Sequence, residues 1–73
     1  MNARIIAKMT MDFNGVDIVG RVYSIPELSF TFRVIVAMYV DGKRYMTSYD
    51  TIGGLHCARK IMMEMAMDLH GNH

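Results

Sequence analysis

The sequence predicts an α+β domain, a four-stranded antiparallel sheet of two β-hairpins with one C-terminal helix packed on one face (ββββα). Three observations predict it. Two stretches alternate apolar and polar residues about Asn14-Gly15 and Asp41-Gly42. Such dipeptides accept positive φ at both centres of a two-residue type I′ turn. The last third drops the two-residue period for a helical one. With 73 residues, the chain is expected to form a single domain spanning 1–73.

The first hairpin is expected over residues 4–24. Ile5, Ala7, Met9, Met11 and Phe13 fall on one face, and Arg4, Ile6, Lys8, Thr10 and Asp12 on the other. Folding about Asn14-Gly15 opposes Phe13 to Val16, Met11 to Ile18, Met9 to Gly20 and Ala7 to Val22, which are all apolar or small. The other face then pairs Asp12 with Asp17, Thr10 with Val19, Lys8 with Arg21 and Ile6 with Tyr23. Two of these pairs oppose like charges, which costs stability unless something meets that face.

Ile25-Pro26-Glu27-Leu28 breaks the pattern, because proline cannot donate to a ladder. A second hairpin follows over 29–50. Phe30, Phe32, Val34, Val36, Met38 and Val40 form its apolar face. A turn at Asp41-Gly42 opposes Val40 to Lys43, Met38 to Tyr45, Val36 to Thr47 and Val34 to Tyr49 on that side. Outside, Arg33 meets Asp50 as a complementary pair, and Tyr39 meets Arg44.

The helix is expected over 51–70, with Thr51 as N-cap and Gly71 at the C-cap. At 100° per residue Leu55, Ala58, Ile61, Met62, Met65, Ala66 and Leu69 share one face, which would cover the apolar side of the sheet.

Composition narrows the function. Eight basic residues against seven acidic ones leave a net charge of +1, unlike a general polyanion binder. A lone cysteine, Cys57, forms no internal disulfide, and no Cys/His spacing matches a zinc site. The chain shows no signal-peptide pattern and no apolar run of the ~18–20 residues that span a bilayer, so a cytoplasmic location without membrane contact is expected. Nine methionines are an unusual share, suited to irregular cores and to adaptable binding surfaces. A core this small rarely supplies more than ~3–5 kcal/mol, which favours a second chain or a tight partner.

Three surfaces are candidates. One helix covers one side of the sheet. The free side collects Arg4, Lys8, Arg21, Arg33 and Arg44 with Tyr23 and Tyr39, interspersed with Ile6, Val19, Ile35 and Met46 and with Asp12, Asp17 and Asp50. Arginine and tyrosine among apolar residues suit a protein interface, and they could also stack on and neutralise single-stranded nucleic acid. The second surface is a helix stripe of His56, Lys60, Met63, Met67 and His70, suited to a partner or a second copy. Its separations are too long for a compact Cu(I) site. The third is Gly53-Gly54, where helix-start N–H groups near His56, Arg59 and Lys60 could hold an anion, although no phosphate-loop pattern surrounds it.

Catalytic patterns are weak. Cys57 and His56 are adjacent on a helix and do not face each other. Asp12 and Asp17 form a carboxylate pair without further support.

Two resemblances are local. Val40-Asp-Gly-Lys43 followed by His56-Cys-Ala-Arg59 is similar to the end of a double-stranded-RNA-binding domain, but with no preceding helix and with its lysine cluster reduced to Arg59 and Lys60. Tyr49-Asp-Thr-Ile52 leading into an alanine-containing helix resembles HicB-like antitoxins, without their glycine- and proline-bearing strand motif. Neither assigns a family.

The expectation is a non-enzymatic protein-binding module without a cofactor or metal. In type it is similar to small phage- or mobile-element-encoded inhibitors of host complexes such as defence systems. A nucleic-acid-binding module on the basic sheet face is the alternative, with an enzyme or metal protein third.

Overall fold

The computed structural model describes residues 4–25, 27 and 31–71, without the side chain of Phe13. The expected break at Pro26, and Ser29 and Phe30 at the start of the second hairpin, lie outside the described residues.

Four antiparallel strands, β1 (Arg4–Phe13), β2 (Val16–Ser24), β3 (Phe32–Val40) and β4 (Lys43–Thr51), form one open sheet in the order β1-β2-β3-β4. A single helix, α1 (Gly54–Gly71), packs on it, so the architecture is ββββα. Both hairpin turns have the mirror-image geometry their residues favour. Asn14 and Gly15 have φ of 53° and 84°, and Asp41 and Gly42 have φ of 50° and 78°. The Gly15 N–H donates to Asp12 Oδ1 at 2.8 Å, which ties the first turn to its own strand. Between the hairpins, Ile25 N–H donates to the Thr31 carbonyl at 3.4 Å, and β2 pairs with β3 from Ser24↔Phe32 to Asp17↔Tyr39.

The helix lies chiefly across β3, with β2 and β4 to either side. Ile18, Val22, Val34, Val36 and Met38 from the sheet meet Ala58, Met62 and Ala66 from the helix, and all eight are buried. Leu55, Ile61, Met65 and Leu69 pack around them, half-buried. Gly20 lets the helix approach. A Cβ there would lie 2.5 Å from Met62 Sδ and 2.6 Å from Met62 Cγ.

The structure corrects the sequence reading at three places. β1 carries an irregularity between Ile5 and Ala7, so Tyr23 pairs with Ile5 and not with Ile6. One extra residue reverses the alternation beyond it. Ile5 is therefore 49% exposed, while Ile6 packs against the core. The same reversal pairs Arg4 with Ser24 and removes it from the free face.

The second correction is at the helix start. Thr51 is not the N-cap. It ends β4 opposite Phe32, is buried, and accepts the Gly53 N–H on Oγ1 at 3.2 Å. A side-chain turn of this kind lets the chain leave the sheet. Gly54, with φ of 88°, then opens the helix three residues later than expected. At the other end Gly71 is the last helical residue, and it is not among the glycines with positive φ.

Third, the Gly53-Gly54 anion site loses a donor, because Gly53 N–H is already bonded to Thr51. Gly53 serves packing. A Cβ there would lie 2.6 Å from Cys57 Sγ.

Candidate protein-docking surface

Strand pairing converts the free face of the sheet into four cross-strand rows. Nearest the hairpin turns run Asp12, Asp17, Tyr39 and Arg44. Next come Thr10, Val19, Ala37 and Met46. The third row is Lys8, Arg21, Ile35 and Ser48, and the fourth is Ile5, Tyr23, Arg33 and Asp50. The second row carries no charge and crosses all four strands.

All six predicted sheet-face residues, Lys8, Arg21, Tyr23, Arg33, Tyr39 and Arg44, fall in these rows. They do not form a continuous basic patch. With Arg4 on the other side, Lys8, Arg21, Arg33 and Arg44 stand against Asp12, Asp17 and Asp50, four charges against three, or +1. Arg33 is also committed to a neighbour. Its Nε and Nη2 donate to the Asp50 carboxylate at 2.9 and 3.0 Å. The hydrogen bonds from Arg33, aided by its charge, hold the Asp50 carboxyl below its ordinary 3.8. The like-charge pairs Lys8↔Arg21 and Asp12↔Asp17 form as the register requires.

The apolar content of this face exceeds what a solvated sheet needs. Met46 is 56% exposed, and Tyr39 and Ile5 are each 49% exposed. A shallow depression of about 520 Å³ lies among Arg33, Ile35, Met46, Ser48, Tyr49 and Asp50. Ile35 and Met46 belong with the candidate site residues, and simple alternation already puts them on this face. Ile5 reaches it only through the bulge.

The helix stripe is real but less coherent. His56, Lys60, Met63 and Met67 are exposed, whereas His70 is half-buried and makes an interaction of its own. Met63 is shared with the sheet edge. It lines a cleft of about 360 Å³ with Ala7, Lys8, Met9, Arg59 and Met62. Met67 is 60% exposed, against 44% for Met63.

Cys57 is half-buried, with Thr51 Oγ1 4.0 Å from its sulfur. Among the described residues no group of three or more His, Cys, Asp or Glu could hold a metal ion. No helix among them is long and apolar enough to cross a membrane.

No family model, curated protein or solved structure matches the chain, so its surfaces are the guide to what it does.

Proposed function

We propose that this chain is a small non-enzymatic protein-binding module that docks through the free face of its sheet. The observation that carries the reading is the second row, Thr10, Val19, Ala37 and Met46. It is an uncharged band across the sheet, with Asp12, Asp17 and Arg44 in the row on one side and Lys8 and Arg21 in the row on the other. An uncharged centre with a charged surround is the anatomy of a protein interface. A balance of +1 argues against a polyanion, whose binding needs several uncompensated cations. An inhibitor of a larger complex, of the kind small phage proteins provide, is one specific form of this reading.

Affinity capture from nuclease-treated lysate tests it. A partner should be retained in stoichiometric amount by the native chain and by Met67→Glu. Met46→Glu should lose it by at least about tenfold, or ~1.4 kcal/mol. Capture that survives Met46→Glu and fails with Met67→Glu would move the site to the helix. Partners that vanish on nuclease treatment would replace the reading with nucleic-acid binding.

A further inference from the structure

We infer that the free sheet face is self-complementary and that its occupant is a second copy of this chain, packed face to face about a two-fold axis along the Thr10–Val19–Ala37–Met46 row. This deepens the docking reading and rests on it.

The argument begins with the two like-charge pairs. Asp12↔Asp17 and Lys8↔Arg21 occupy the same two strands, two rows apart, with Thr10↔Val19 midway between them. A two-fold axis in the plane of the interface, running along that middle row, reverses strand direction and exchanges the flanking rows. It sets Asp12 over Lys8 and Asp17 over Arg21 of the second copy. The operation then repeats both contacts in the other direction. Four ion pairs thus replace two repulsions in each copy, and every charge of that corner is used. Asp12 Oδ1 accepts the Gly15 N–H, which holds the carboxylate at the end of β1 that the lysine of the second copy would meet.

The same axis makes a second match on the far strands, independent of charge. Tyr39 and Ile35 lie equally far on either side of Ala37. The exchange therefore brings the exposed Tyr39 ring of one copy to Ile35 of the other, at the depression that Met46 and Ser48 also line. Val19 and Ala37 meet their own copies at the centre, where small side chains allow close approach. Sheets stacked this way lie about 10 Å apart, within reach of Asp–Lys and Asp–Arg pairs. The three overlapping rows across four strands give a footprint of roughly 20 Å by 20 Å. That is small for a permanent dimer and suits one that exchanges with monomer.

The test is sedimentation equilibrium of the whole chain from low micromolar to millimolar concentration, with charge exchange at two exposed positions outside the core. The native chain should dimerise reversibly. Asp17→Arg alone sets arginine against arginine, and Arg21→Asp alone sets aspartate against aspartate. Each should weaken self-association at least about tenfold. An equimolar mixture of the two variants should dimerise again, because every contact in the mixed pair is then opposite in sign. The double variant, which exchanges the charges within one chain, should also dimerise.

A native chain that stays monomeric throughout overturns the inference. So does a dimer indifferent to the single changes, or a mixture that fails to recover. Circular dichroism of each variant separates lost association from lost folding, and the mixture and double variant serve as internal controls. Lysate capture keeps the two proposals apart. A monomeric chain whose capture of another protein depends on Met46 sinks the dimer and leaves the docking surface. A dimer with no Met46-dependent capture keeps the free face as a docking surface with a second copy as its occupant, and overturns docking on another protein.

Discussion

The two faces of the sheet come from the same four strands, one residue out of step, and they are built to opposite rules. On the covered face Ile18, Val22, Val34, Val36 and Met38 are buried against Met62 and two alanines. On the free face the intervening positions carry Asp17, Val19, Arg21, Arg33, Ile35, Ala37 and Tyr39. Among the described residues none of those buried on the covered face is charged. The free face holds two like-charge pairs on the same two strands, an arrangement that folding alone would not favour. Stability is thus written on one face, and the features that stability does not need gather on the other.

Substitutions can break that contrast. The largest effect should come from Val36→Asp, which puts a charge into the centre of the covered face. Its cost, on the order of 4 kcal/mol or more, matches the whole stability expected of a core this size, so the chain should be unfolded by circular dichroism. Gly20→Ala is next. Its methyl would displace Met62, and a loss of about 1–3 kcal/mol should appear as a lower midpoint in urea. On the free face Met46→Glu should move that midpoint by no more than about 0.5 kcal/mol while removing binding.

The smallest effect concerns Arg33 and Asp50, an exposed pair whose contribution water and salt screen. Because the folded state holds the Asp50 carboxyl below its ordinary 3.8, the pair favours folding above that pH, and the gain is lost as pH falls through the lowered value. Asp50→Asn should remove that small gain at neutral pH, flatten that part of the acid unfolding curve and leave stability below the lowered value nearly untouched.

Most of the fold was legible because period and turn chemistry agreed. Asn14-Gly15 and Asp41-Gly42 fixed both hairpin registers, and alternation then assigned the core side of each strand. What escaped had no local signal. Ile5 and Ile6 are the same residue type, so no pattern could say which one turns inward once the strand bulges. Thr51 is a good N-cap by residue type, but its pairing with Phe32 and its bond to Gly53 keep it in the sheet. The order β1-β2-β3-β4 depends on contacts between the hairpins, which neither hairpin encodes.

The candidate site was legible as a set of residues and not as a pattern. Lys8, Arg21, Tyr23, Arg33, Tyr39 and Arg44 could be assigned to one face from the sequence. Their arrangement in rows needed the β2–β3 register, and that register turns an apparent basic face into one of balanced charge. On the helix, periodicity placed Met63 on the outer stripe without revealing that β1 supplies the other wall of its cleft.

The methionines offer the most direct test that the free sheet face is the working surface. Among the described residues Met46 is the methionine of that face, Met63 and Met67 report on the helix, and Met38 and Met62 report on the core. Methyl NMR of chain labelled with ¹³C at the methionine methyls should be recorded in buffer and in nuclease-treated lysate. We expect the Met46 signal to shift or broaden while those of Met63, Met67, Met38 and Met62 hold still. A spectrum in which Met63 and Met67 respond and Met46 does not would contradict the account and move the working surface to the helix.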